Sequence, residues 1–448
     1  MIEKVVDDQE KQETKRIIAR LTEKLNDPQK VEEIVMDKNN VTTISKVNPW
    51  DPVSLSHGFA GTILFFSELH KMYPEEKWDH VAHNHIVYAS NYLKNGVHSI
   101  SLFGGITGFA FAVFNASENG TRYQNLLTKL DEVIRRVAEN EIEEEKQRNG
   151  LGALPTFYDV IQGYSGIGRY LLERRKDTPA FNGLIEAILR RFVEMTATIT
   201  WEEHEVPGWY VTQENQFLEK DKKIYPFGNF NLGLAHGIPG PLSFLSLCLL
   251  KGIEIPGQRQ AITTIGNWLV RHAKSNSTGA PVWAHRVGVK EAIVNKYTVI
   301  DEREGWCYGN PGVARSLYLA GKALNDLPYQ EMAVKCFHGI KEKTLEELDL
   351  QSATFCHGKS GLLQIMVRMK NDLNINDFDK LINQLENGIK EQYRDQHPLG
   401  FKDFEIGSRT NELDKAGLLE GAAGVGLALL SRTGDDSDLF WDKAFLIS

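Results

Sequence analysis

One short pattern governs what this chain can fold into: Gly-x-x-Gly occurs seven times, each copy followed by an apolar stretch. The copies begin at Gly58, Gly105, Gly163, Gly237, Gly309, Gly358 and Gly421, so successive starts lie 47 to 74 residues apart. A single copy carries little information, whereas seven at such a period mark a repeat array. Behind the turns come TILFFSELHKM, FAFAVF, IGRYLLERR, PLSFLSLCLL, VARSLYLAGKAL, LLQIMVRM and VGLALL, which read as helices apolar nearly all round and therefore internal.

Between the turns lie charge-bearing amphipathic stretches: Lys11–Asn26, Trp78–Leu93, Arg122–Gln147, Phe181–Ile199, Gln258–Ala273, Tyr329–Leu348 and Asn376–Tyr393. One polar-faced helix thus precedes each turn and one buried helix follows it. Such pairs cannot cover their own apolar surface, so they stack, and closing the stack removes its ends. The expected fold class is all-α: an (α/α)7 toroid of seven helix pairs, forming a single domain over 1–448. All the turns then ring the axis at one end. Glycine suits them because it reaches positive φ and permits close backbone approach.

The two longest spacings, 74 and 72, flank the fourth repeat. Their extra sequence is rich in β-branched and aromatic residues among turn formers, at Trp209–Thr212, Val282–Val287 and Val294–Ile300. A small β-containing lobe is expected from insertions at 201–233 and 275–305, on the face that carries the turns.

Composition excludes several classes. A chain of 448 residues buries a large core without staples, so a metal need not serve stability. Its formal charge of −9, with both signs mixed along the chain, argues against nucleic-acid binding. The N-terminus is charged from the start and lacks the apolar core of an export signal. The longest apolar run, Leu242–Leu250, is roughly half of a bilayer span. Four cysteines are too few for a disulfide scaffold and fit a reducing compartment. The expectation is a cytoplasmic protein, peripheral to a membrane only through partners.

If the turns ring an axis, the residues just before each Gly-x-x-Gly face a shared space. Repeat three offers Asp159 and Gln162, and repeat four offers His236. Repeat five offers Arg303, Trp306, Cys307 and Tyr308, and repeat six offers Cys356 and His357. Cys307, Cys356 and His357 make a two-sulfur, one-nitrogen set suited to zinc. Three protein ligands with an open position is the catalytic pattern, unless His236 or His57 closes the site. Either cysteine alone would read as a small buried apolar residue; matched places before two successive turns favour ligation.

A metal held by two thiolates would deprotonate a substrate thiol near neutral pH and leave it nucleophilic. A carbon electrophile attacked by that sulfur then needs an acid, for which His236 is the candidate, oriented by Asp159. Arg303 and Tyr308 are candidates to stabilise the carbonyl oxygen, although Arg303 has Glu302 and Glu304 beside it, and Trp306 and Tyr308 could equally be packing residues. His80, His83 and His85 resemble a metal cluster but read as a solvated surface of an outer helix. Cys248 and Cys336 read as buried thiols.

The repeated turns, LAHGIPG at 234–240, WCYGNPG at 306–312 and CHG at 356–358 resemble the lanthionine synthetase C-like family, the lantibiotic cyclases called LanC. The resemblance runs from Gly58 to Gly424 and implies an (α/α)7 barrel with an inserted lobe and one zinc per chain. It also implies intramolecular Michael addition of peptide cysteines to dehydroalanine or dehydrobutyrine. By motif, Cys307, Cys356 and His357 match the family's zinc ligands. His236 and Asp159 match residues with acid–base or supporting roles, and Arg303 and Tyr308 match further active-site positions. The resemblance implies a stand-alone cytoplasmic enzyme working with a dehydratase and a peptide exporter at the membrane, on a dehydrated precursor peptide held by its leader. Two rival readings are a zinc-dependent thiol alkyltransferase on a prenyltransferase-like toroid and a non-catalytic thiol- or peptide-binding relative.

Overall fold

The computed structural model describes residues 2–43, 46–148, 150–299, 303–405, 411–434 and 439–448. The chain divides into two compact units, one of Met1–Ser99, Phe103–Leu130 and Leu350–Lys443, the other of Ile100–Leu102, Asp131–Asp349 and Ala444–Ser448.

In the first unit the inner helices are Phe59–Met72, Ile106–Asn115, Lys359–Leu373 and Ala422–Leu430, those of repeats one, two, six and seven. Every residue of Ala422–Leu430 is buried, as its unbroken apolar sequence requires. That helix packs on both Lys359–Leu373 and Phe59–Met72, and Phe59–Met72 packs in turn on Ile106–Asn115. The seventh repeat is therefore a neighbour of the first, which closure of the array demands. Backbone bonds between the turns follow the same order: Cys356 N to Leu419 O (2.9 Å), Leu419 N to Ser56 O (3.1 Å) and Ser56 N to Phe103 O (2.9 Å). The outer helices Ile2–Leu25, Trp78–Ser90 and Asp379–Lys390 cover this core.

The second unit holds the inner helices Tyr164–Arg174, Pro239–Leu250 and Asn310–Leu324 of repeats three to five. Pro239–Leu250 packs between the other two. Outer helices Phe181–Met195, Gln258–Arg271 and Leu327–Lys341 each lie on an inner partner. The last of these starts cleanly because Asp326 accepts a hydrogen bond from Tyr329 N and a proline stands in the first turn. Here too the turns are laced together, Val160 N bonding Ala235 O (3.0 Å) and Ala235 N bonding Cys307 O (3.2 Å).

Three local expectations need correction. The outer helix expected to reach Ile199 stops at Met195, and the β-branched run that follows forms the strand Thr198–Trp201, antiparallel to His204–Pro207. The helix expected to reach Leu348 stops at Lys341. Val294 ends a short helix, Val289–Val294, closed by Asn295 in the left-handed region, and no strand follows among 295–299; Ile300 lies outside the described residues. The other strands near repeat four are Asn229–Asn231 with Arg286–Gly288 and Lys274–Ser275 with Pro281–Val282. A further hairpin in the first unit, Asp403–Phe404 with Glu412–Leu413, had no sequence signal.

Of the two reasons expected for glycine in the turns, close backbone approach is the one seen at most of them. Gly58 and Gly163 have ordinary extended φ of −94° and −98°. What demands glycine is space: a Cβ on Gly58 would fall onto the Asp51 carbonyl oxygen, and one on Gly61 onto the Leu418 backbone of the seventh repeat. Close packing selects glycine at these positions, while Gly309 also takes a positive φ of 154°.

Candidate functional site

The acid–base candidates meet in the second unit. Asp159 is fully buried at the end of a single helical turn, Pro155–Tyr158. Its Oδ1 accepts the backbone N–H groups of Gln162 (2.7 Å) and Gly163 (2.8 Å), which closes the third repeat's turn. Its Oδ2 lies 2.6 Å from His236 Nδ1. A carboxylate only accepts, so Nδ1 carries the proton and Nε2 is left to exchange one. One aspartate thus builds its own turn and fixes the tautomer of a histidine on the next. The Gln162 side chain is exposed and takes no part.

Tyr308 stands beside this pair, its ring 6.3 Å from that of His236. Its Oη accepts hydrogen bonds from Asn231 Nδ2 and Arg286 Nη2, each 2.9 Å away. Burial pushes its hydroxyl up to about 12 against the pull of Arg286. The Phe217 ring lies 5.3 Å from the other candidate ring, His236, and is 39% exposed, an apolar cover over the acid–base group. Arg303 is half-buried and its Nε has no hydrogen-bond partner. Neighbouring Glu304 is engaged elsewhere, by Asn310 Nδ2 (3.0 Å) and Lys343 Nζ (2.7 Å), while Glu302 lies outside the described residues. Trp306 is a packing residue, fully buried with Nε1 donating to Phe445 O and its ring edge-on to Phe445. Cys307 is buried in the same unit, and its carbonyl is the one that takes the Ala235 N–H.

Cys356 and His357 lie in the first unit, on the turn before Lys359–Leu373. With Glu420 they form a group whose potential ligand atoms all lie within 4.8 Å of one another. Glu420 stands immediately before Gly421, the place His357 occupies before Gly358, so the rule that found the other candidates would have found it at repeat seven. Both His357 ring nitrogens are buried and lack a hydrogen-bond partner, although Asp403 Oδ1 and Glu420 Oε1 each approach to 3.6 Å. A buried imidazole with neither nitrogen bonded is costly. A cation on one nitrogen and a carboxylate drawn to the other would relieve it, so the residues present fit a metal ion.

One lysine serves both carboxylates beside this group. Lys415 Nζ bridges Asp403 Oδ2 (2.9 Å) and Glu420 Oε2 (2.5 Å), and Asp403 Oδ1 also takes the Ser352 and Thr354 hydroxyls. Burial would raise the Glu420 carboxyl, but Lys415, His57 and His357 hold it well below the usual range. Burial lowers His57, whose Nδ1 also lacks a partner. The histidines of the outer helix divide: His80 and His83 are exposed as expected, but His85 is fully buried, its Nδ1 2.8 Å from Thr62 Oγ1. Cys248 and Cys336 are buried within their helices, as expected.

Residues 49–446 match the model of a family described as lanthionine synthetase C-like protein. The chain is 27% identical over 433 residues to the nisin biosynthesis protein NisC of Lactococcus lactis subsp. lactis, covering 95% of this chain and 96% of that one. A solved structure named nisin cyclase superposes with a TM-score of 0.77 at 25% identity, covering 98% of this chain and 97% of that one. That likeness carries the helical-toroid fold class expected from the repeats.

Proposed function

Because the chain belongs to the lanthionine synthetase C-like family, we propose that it is a lantibiotic cyclase that closes thioether rings by adding cysteine thiols of a dehydrated precursor peptide to dehydroalanine or dehydrobutyrine. The observation that carries this reading is the Asp159–His236 contact of 2.6 Å, a tautomer-fixed acid–base group beside an aromatic hydroxyl. We assign Cys307, Cys356 and His357 as ligands of one zinc ion per chain, with Glu420, Asp403 and Lys415 as their charged surround. Bound there, zinc would supply a substrate sulfur that is deprotonated near neutral pH and still nucleophilic.

The remaining steps fall to the chain's own side chains. As the S–Cβ bond forms, the alkene's electron pair moves toward the peptide carbonyl oxygen, to which Tyr308 and Arg303 donate hydrogen bonds. His236 delivers a proton from Nε2 to Cα while Asp159 holds Nδ1–H in place. The thiol's proton is replaced on carbon, so atoms balance and mass is unchanged. Phe217, lying over His236, limits water access to the transferring proton. The peptide is presented with its leader, and a dehydratase and an exporter at the membrane are the proposed partners. Among the described residues no helix is long and apolar enough to cross a membrane.

The test counts thiols. A dehydrated precursor incubated with the protein should lose alkylatable cysteines without changing mass, and alkylation that stays constant refutes the reading. Incorporation of a labelled prenyl group instead would support the alkyltransferase rival.

A further inference from the structure

Two strands of the region around repeat four, Asn229–Asn231 and Arg286–Gly288, pair antiparallel with Asn231 directly opposite Arg286. Both residues send a donor to one atom, Tyr308 Oη, at 2.9 Å each. Neither donor can be reversed. A guanidinium has only N–H groups, and the Asn231 amide is fixed because its Oδ1 accepts Gly233 N–H at 3.0 Å. Arg286 is held from its other side by Asp221 Oδ2 at 3.1 Å, and its guanidinium lies over the Tyr308 ring, 4.8 Å from the centroid.

A phenol oxygen that accepts two hydrogen bonds has used its acceptor capacity, so its own O–H must point away from both donors. Among the described residues nothing accepts that proton. We propose that Arg286 and Asn231 are positioning residues that turn the Tyr308 hydroxyl outward, as a ready donor to the substrate's carbonyl oxygen. The inference rests on the cyclase reading and deepens it by giving the cross-strand pair a task. Donation into Oη from a cation also polarises the O–H bond, strengthening the bond it makes to an oxygen gaining charge. The donor is oriented before substrate arrives, so no reorganisation is needed as charge develops.

The experiment measures kcat and KM for thiol loss in wild type, Tyr308→Phe, Arg286→Gln, the double variant and Asn231→Asp, with metal content measured in each. Tyr308→Phe should lower kcat by about 100- to 1000-fold. Arg286→Gln should lower kcat by roughly 10- to 100-fold with KM within about threefold, and should add nothing in the Tyr308→Phe background. Asn231→Asp is the sharper variant, because it keeps an acceptor for Gly233 N–H and leaves the Arg286–Asp221 ion pair in place. It places a carboxylate oxygen on Tyr308 that draws the hydroxyl proton inward. It should therefore fall to the Tyr308→Phe level with metal content unchanged. Wild-type kcat in Asn231→Asp, or an Arg286→Gln effect that persists in full without the Tyr308 hydroxyl, overturns the inference while leaving the cyclase reading intact. A wild-type protein that consumes no thiol overturns both.

Discussion

Replacing Asp159 separates its two tasks. Oδ1 receives two backbone N–H bonds at 2.7 and 2.8 Å, and Oδ2 receives His236 Nδ1–H at 2.6 Å. Each backbone bond to a buried carboxylate contributes about 1.5–3 kcal/mol, so Asp159→Ala should cost about 3–6 kcal/mol through the turn alone. Asp159→Asn keeps a neutral acceptor there and should lose roughly half as much. Because two backbone donors claim the amide oxygen, the NH2 must face His236. Nδ1 then has to accept, which moves the ring proton to Nε2 and removes the working tautomer. Turnover in Asp159→Asn should fall by about 100- to 10,000-fold despite a fold close to wild type. Urea unfolding followed by far-UV circular dichroism gives the stabilities, and alkylation kinetics give turnover. The reasoning fails if Asp159→Asn is as unstable as Asp159→Ala, or if it turns over normally.

Elemental analysis should find about one zinc per chain, lost in Cys307→Ala, Cys356→Ala and His357→Ala but retained in His236→Ala, which should lose turnover only. Loss of metal in His236→Ala would make it a ligand instead. Burial lowers His85 from 6.5 to about 4. Between those values the unfolded chain binds more protons than the folded one, so this contribution to stability is fully present above pH 6.5 and is lost as pH falls toward 4. The difference amounts to about 3 kcal/mol, and the slope of unfolding free energy over that range should flatten in His85→Leu. Gly61→Ala would press a methyl into the Leu418 backbone and should destabilise by about 3 kcal/mol, measurable as a lower urea midpoint; a neutral substitution would mean that the first and last repeats do not pack as closely as described.

Much of this was legible because the repeat supplied a frame. Seven matched turns gave the helix pairing, and the last repeat's contact with the first follows from counting apolar helices that need partners. Asp159, His236 and Tyr308 were legible by place, since each lies at or just before a turn. Arg286, Asn231, Asp403, Lys415 and Phe217 were not. Their importance comes from cross-strand register and from contacts such as Asn231 to Tyr308, 77 residues apart, which leave no local periodicity. His85 misled for a related reason: His80 and His83 are exposed, but a helix turns His85 inward onto Thr62, and polarity alone could not reveal a core histidine.

The residue before each first glycine deserves its chemical variety on structural grounds. At that place the chain's backbone is committed: Cys356 N and Cys307 O, one residue earlier, are taken by the adjoining turns at Leu419 and Ala235. Glycine follows because a side chain there would collide with the preceding loop, as at Gly58 and Gly358. Packing thus constrains the positions on both sides and leaves the one between free to vary. Across the turns it reads His57, Gly104, Gln162, His236, Tyr308, His357 and Glu420. Such a frame lets metal ligation, proton transfer and oxyanion contacts be exchanged turn by turn without repacking the helices behind them. Substitutions at His236, Tyr308, His357 and Glu420 should therefore change metal content or turnover far more than stability, whereas substitutions of the glycines beside them should do the reverse.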